Sequence, residues 1–118
     1  MKYRLWDKVA KCMENFYQLA VNPSGEIYYP HNVTDRYDQL LFSGLYDMNN
    51  VEIYDADILK IVDCGEEIFS SVWFDDGAFW VDFEGNSREL LIDNCMSAEV
   101  VGNIYENPEI LENQLPLY

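Results

Sequence analysis

Positive charge runs out early in this chain. Residues 37–118 contain only Lys60 and Arg88 against eighteen carboxylates, whereas residues 1–36 hold five Lys/Arg and four Asp/Glu, so the net charge of −15 belongs to the last two-thirds. Nucleic-acid binding depends on Lys and Arg displacing counterions from phosphates, and a surface so poor in cations repels that ligand. Histidine is almost missing as well. His31 is the only one, it follows Pro30 in a polar loop, and triads that use imidazole as base have no other residue to recruit. Cys12, Cys64 and Cys95 are odd in number and without CxxC spacing, which argues against a disulfide framework and a zinc knuckle and reads as free thiols in a reducing cytosol. No run of about eighteen apolar residues occurs, and MKYRLWDKVAKC has no uninterrupted apolar h-region. The expectation is a soluble, unexported, cytoplasmic protein, for which Asn32-Val33-Thr34 is a glycosylation pattern never met by its enzyme.

Catalytic signatures are missing too. There is no GxSxG, no Gly-rich phosphate loop and no HExxH. The loop beginning at Asp47 fails as a calcium site, since Val51 falls at a ligand position and Glu52 where the obligatory glycine belongs. Asp55 and Asp57 read as a carboxylate pair on one strand face, a pairing usable for acid/base or metal work. In a chain with 22 acids, however, neighbouring carboxylates follow from composition alone. No catalytic residue, metal or cofactor is expected.

What is present is an aromatic-rich pattern: nine Tyr, six Phe and three Trp in 118 residues. Such a composition favours pleated surfaces, and the length fits one domain, 1–118. Asn22-Pro23-Ser24-Gly25 is strong turn chemistry, followed by a return strand from Glu26 to Tyr29. Residues 31–38 read as polar connection. Leu40–Phe42, a turn at Gly44, the loop Asp47–Asn50 and Val51–Tyr54 come next. Asp55-Ala56-Asp57 then leads into the near-continuous apolar run Ile58–Val62, which reads as a well-buried strand.

Ile68–Phe74 and Ala78–Glu84 flank Asp75-Asp76-Gly77, a hairpin signal. Alternation places Phe79, Val81 and Phe83 inward, with Ile58 and Ile61, and Trp80, Asp82 and Glu84 outward. Arg88–Ile92 and Glu99–Tyr105 are further strands. Gly102 marks a bulge or a close backbone approach. Asn107-Pro108-Glu109 announces a short C-terminal helix. Only residues 3–20 send two signals. Trp6, Val9, Ala10, Met13, Phe16, Tyr17 and Ala20 share a helix face, yet Tyr3–Trp6 and Met13–Val21 also read as strands about a turn at Asp7-Lys8.

Three stretches, KYRLWDK, SGLYDMNNVEIYDADILKI and EVVGNIYENPEIL, together span nearly the whole chain. On these residues the sequence resembles the YopX-like family of phage and prophage proteins. The resemblance implies a mainly β fold of coiled β-sheets with an SH3-like barrel and a short C-terminal helix. It turns residues 3–20 toward strand, turn and strand, with room for a helical turn at Val9-Ala10. It brings no catalytic residues.

The expected role is therefore non-enzymatic. One reading is an acidic protein-interaction module that binds a host or phage protein. If its carboxylates form an ordered array, they can mimic duplex phosphate and inhibit a basic nucleic-acid-binding protein. The contact residues expected for it are Asp55, Asp57, Asp75, Asp76, Trp80, Asp82 and Glu84. The other reading is a self-assembling structural module, a homo-oligomer joined through Leu111, Leu115, Leu117 and Tyr118, an apolar end that a short helix cannot bury alone.

Overall fold

The computed structural model describes residues 2–14, 20–21, 27–28, 37–83 and 87–112. The turn at residues 22–25 and His31, Glu84, Leu115, Leu117 and Tyr118 lie outside the described residues. Backbone packing divides the chain into two compact units, Met1–Leu41 and Phe42–Tyr118.

In the first unit, Tyr3–Asp7 (β1) pairs antiparallel with Cys12–Glu14 (β2). The strand reading of residues 3–7 prevails over the helical spacing because β1 is flanked by ladders on both sides. Its second neighbour is the start of Tyr37–Tyr46 (β5), in register from Tyr3↔Leu41 to Asp7↔Tyr37. Tyr37 and Asp38, expected in a polar connection, are thus strand residues. Tyr3, Leu5, Trp6 and Asp7 are all buried.

The β1–β2 turn is made by Asp7. Its Oδ1 accepts the Val9 and Ala10 N–H groups, each at 2.9 Å, while Lys11 N–H reaches the Asp7 carbonyl at 2.8 Å. That last bond closes one helical turn at Val9-Ala10, and Lys11 takes φ 57° to leave it. Ala20–Val21 (β3) and Ile27–Tyr28 (β4) form a separate two-stranded ladder.

In the second unit the rest of β5 pairs with Glu52–Tyr54 (β6) through Phe42↔Tyr54 and Tyr46↔Glu52. Two residues more lie between the paired positions on β5 than on β6, and Gly44 at φ 81° takes up part of that excess. Asp57–Asp63 (β7) is the central strand of a second sheet, between Glu66–Ser71 (β8) and Ala98–Asn103 (β12). Asp57, Ile58, Leu59 and Ile61 are each no more than 1% exposed, as expected for a strand covered on both faces.

Trp73–Asp75 (β9), Ala78–Phe83 (β10) and Ser87–Leu90 (β11) make a third sheet, with β10 in the middle. Two 3-10 turns follow: Leu91–Asp93, whose first two residues were expected to end the strand Arg88–Ile92, and Cys95–Ser97, within the connection expected from Asp93 to Ser97. Glu109–Glu112 (α1) is the short helix.

The strand expected over Ile68–Phe74 is two strands that belong to different sheets. Val72, 1% exposed, is the joint: its N–H donates to the Asp57 carbonyl and its own carbonyl accepts from Ala56, both at 2.8 Å. The hairpin at Asp76-Gly77 is as expected, both residues having positive φ, 50° and 73°, the geometry that two-residue hairpins favour. A second hairpin of the same kind joins β7 to β8 through Cys64 (φ 52°) and Gly65 (φ 83°). All ladders are antiparallel, so the described residues are mainly β with one short C-terminal helix.

The core of this unit gathers Ile53, Leu59, Ile61, Val72, Val81, Leu91, Cys95 and Ala98. The inward face expected of β10 is there: Val81 is fully buried, and Phe79 and Phe83 pack half-buried against the same cluster. Cys95 is a buried free thiol, and Cys12 and Cys64 are exposed free thiols.

Candidate functional site

The outer face of the β9–β10–β11 sheet collects most of the residues expected to meet a partner. Residues paired across antiparallel strands share a face. Trp80↔Trp73, Ala78↔Asp75 and Asp82↔Arg88 therefore bring Trp73, Asp75, Trp80, Asp82 and Arg88 together on the side opposite the core. The two indoles stack at 6.2 Å between centroids with planes 28° apart. Trp80 is held in place by its Nε1–H, which donates to the Asp75 carbonyl at 2.8 Å.

Arg88 lies on this pair. Its guanidinium carbon is 3.9 Å from the Trp80 ring centroid and 5.7 Å from that of Trp73, within cation–π range. Its Nη1 donates to Asp75 Oδ2 at 3.2 Å, and Nη2 is 3.8 Å from Asp76 Oδ2. All three charged side chains remain open to solvent, at 40% exposure for Arg88, 56% for Asp75 and 77% for Asp76. Trp73 Nε1 is buried without an acceptor among the described residues, an uncommon state for an indole N–H.

Asp75, Asp76, Trp80 and Asp82 thus converge, with Asp82 exposed. Sequence reasoning missed Trp73 and Arg88. The first could have been found, because a two-residue Asp76-Gly77 turn fixes Trp73 opposite Trp80. The second depends on Phe83↔Ser87 pairing, which sets Arg88 opposite Asp82; strands ending at Glu84 and starting at Arg88 imply the same face but a partner two residues further along, at Glu84.

Contrary to the expectation from sequence, Asp55 and Asp57 do not share an outward strand face. Asp55 and Ala56 form a turn with Ala56 at φ 72°. Asp57 is 1% exposed, and its Oδ2 accepts the Tyr54 N–H at 2.8 Å. Asp55 is half-buried; burial pushes its carboxyl above the ordinary value, partly opposed by a hydrogen bond from the Ala56 backbone.

Asp57 is one of several polar side chains turned to structural use. Asp47, 2% exposed, accepts Asn49 N–H (2.8 Å) and Val51 N–H (2.9 Å) at Oδ1, and Val100 N–H (2.8 Å) at Oδ2. It folds its own loop and fastens it to β12. Val100 lies at the register shift of β12, where the ladder leaves an N–H to be satisfied from elsewhere.

Asn103, 7% exposed, does the same for the closing turn. Its Oδ1 accepts Tyr105 N–H (3.0 Å) and Glu106 N–H (2.9 Å), and its Nδ2 donates to Glu106 Oε1 at 2.9 Å. Asn107 was expected to cap the helix with its side chain, but Oδ1 turns back to accept Asn103 N–H at 3.3 Å. Gly102 makes room for it: a Cβ there would come within 2.5 Å of Asn107 Oδ1. Gly102 is therefore both bulge and close approach.

Among the described residues, Asp7, Cys12 and Glu14 are the group whose ligand atoms converge, all within 4.8 Å of one another. Asp7 Oδ1 is already taken by two backbone amides. Leu111 is half-buried on α1. No helix among the described residues is long and apolar enough to cross a membrane.

Asp7, Asp47, Asp57 and Asn103 come one or two each from the three stretches that carry the family resemblance, and each is buried with oxygens bonded to backbone amides. These stretches specify turns. No curated protein matches the chain. Two crystal structures share the fold. Protein EF1440 from Enterococcus faecalis is 26% identical with a TM-score of 0.64, over 93% of this chain and 96% of that one. Protein YopX from Bacillus subtilis is 24% identical with a TM-score of 0.68, over 98% and 100%. The YopX protein family model matches residues 2–112, and the chain belongs to that family.

Proposed function

We propose that this YopX-family protein acts without catalysis, as an acidic module that binds a protein partner through the outer face of β9, β10 and β11. The observation that carries this reading is the stacked Trp73–Trp80 pair, half-buried on a strand face and ringed by Arg88, Asp75, Asp76 and Asp82. Trp and Arg are the side chains that contribute most at protein interfaces. The surrounding negative field speeds and orients encounter with a basic partner.

Arg88 gives the face mixed charge, which suits a protein surface better than it imitates a phosphate array. Phosphate mimicry therefore ranks second, and self-assembly third, with Leu111 alone of its expected contacts described. The proposal takes the chain as one domain, 1–118, because the family match runs through both compact units. It also keeps the SH3-like barrel implied by the resemblance, on the strength of the short antiparallel strands of the second unit. No metal or cofactor enters it. The resemblance to phage and prophage proteins points to the cytosol of a bacterial host as the place of action.

The test is capture of a partner from host lysate at low and high salt, with Trp80→Ala and the triple change Asp75→Asn, Asp76→Asn, Asp82→Asn run beside the unaltered protein. Capture that weakens with salt and is lost in both variants is the expected result. A partner retained by both variants rejects this face. A concentration-dependent oligomer with no partner transfers the case to self-assembly.

A further inference from the structure

The β9–β10 hairpin holds a guanidinium in the free protein, and the residues that hold it come from one continuous segment, 73–80. The aromatic floor is Trp73 and Trp80; the carboxylate wall is Asp75 and Asp76. Trp80 is fixed by its bond to the Asp75 carbonyl, and Asp76 is fixed in a two-residue turn with Gly77. The occupant comes from another strand. Arg88 lies on β11, at the edge of the three-stranded sheet, and reaches across β10.

We infer that this hairpin is a binding cradle for an arginine side chain of a basic protein partner, and that Arg88 is its internal stand-in until that partner arrives. The inference rests on the outer face being the contact surface. It adds the ligand chemistry and a reason for Arg88. A planar guanidinium can lie flat on an indole while its N–H groups reach two carboxylates at the rim, and a lysine ammonium cannot do both as well.

Arg88 is held by exposed ion pairs, a weak class of contact, so an incoming arginine with contacts of its own can displace it. Until then it acts as a tethered competitor. A site that is free only a fraction of the time binds more weakly by that fraction, so single arginines on unrelated proteins are turned away. Selectivity for a partner offering arginine plus neighbouring contacts is the result. Because Arg88 is one of two cations after residue 36, its release also leaves the cradle more negative.

The experiment is titration with argininamide, followed by tryptophan fluorescence and calorimetry, on the unaltered protein, Arg88→Ala and Arg88→Gln. Trp6 is buried, and calorimetry reads the binding independently of its fluorescence. Removing Arg88 is expected to tighten argininamide binding at least tenfold, with lysinamide several-fold weaker. Adding Trp80→Ala, or Asp75→Asn with Asp76→Asn, to Arg88→Ala is expected to abolish it.

No gain in either Arg88 variant, or a gain that survives Trp80→Ala, overturns the cradle. If argininamide fails while partner capture still depends on Trp80, the cradle falls and the contact face stands. If argininamide binds as expected but no partner depends on Trp80, the guanidinium chemistry stands and the partner reading falls.

Discussion

The same residue type serves opposite ends in two parts of the second unit. Around β7 the carboxylates of Asp47 and Asp57 are at most 2% exposed and bonded to backbone amides. On the β9–β10 hairpin Asp75 and Asp76 stand more than half exposed and meet a cation. The difference lies in what the backbone offers. Loops and bulges near β7 leave N–H groups without ladder partners, and a buried amide without an acceptor is costly, so carboxylate oxygens are drawn in. The hairpin turn is exposed, where water can serve its amides, and its acids face solvent. The described carboxylates therefore include two populations, one architectural and one exposed beside a cation.

Breaking the architectural population has the largest expected effect. Asp47→Ala removes the acceptor from three backbone amides at once and should cost about 3–5 kcal/mol in urea unfolding. Asp47→Asn should fall close behind, because its NH2 would confront one of the same N–H groups. A loss below about 1 kcal/mol would mean that water replaces the carboxylate, and the distinction between the two populations would collapse. Gly102→Ala tests the second architectural turn. Its Cβ would meet the Asn107 side chain, and displacing that contact should cost about 1–3 kcal/mol.

Asp55 belongs to neither population, being half-buried in a turn. Burial raises its carboxyl above the ordinary value, so the folded state binds its proton more tightly than the unfolded state does. Its contribution to stability is then fully present below the unfolded value and lost as pH rises through the raised one. Asp55→Asn should accordingly be more stable than the parent at neutral pH, with a flatter pH dependence across the acidic range. Equal stability at neutral pH would show the carboxylate to be as well solvated as in the open chain. The smallest effect is expected where recognition was proposed: Asp75→Asn with Asp76→Asn should leave stability within about 0.5 kcal/mol.

The sequence disclosed what local chemistry controls. Asp76-Gly77 announced its hairpin because both positions tolerate positive φ, and the strand period placed Val81 inward. Cys64-Gly65 makes an equivalent turn, yet cysteine is no turn residue by composition, so nothing local marks the return of Ile58–Val62 into β8. The division of Ile68–Phe74 was hidden because Val72 continues the apolar run while its backbone bonds to residues 56 and 57. The role of Asp47 lay further out of reach, since its third amide belongs to Val100, 53 residues away. Asn103 was nearer to legible: an Asn two and three residues before the amides it bonds is a local turn pattern.

That distance between Asp47 and Val100 also has a meaning in time. During synthesis β7 emerges well before β12, which forms its second ladder from Ala98↔Ile61 to Asn103↔Asp57. Until residues 98–103 have been made, one edge of β7 has no partner and Asp47 has two of its three amides. A ribosome paused before residue 98 therefore carries a chain with a hydrophobic strand open along one edge, the state most vulnerable to pairing with a neighbouring nascent chain. Formation of this sheet is gated by translation of its final strand, and an interrupted message is expected to yield a second unit that aggregates or is degraded.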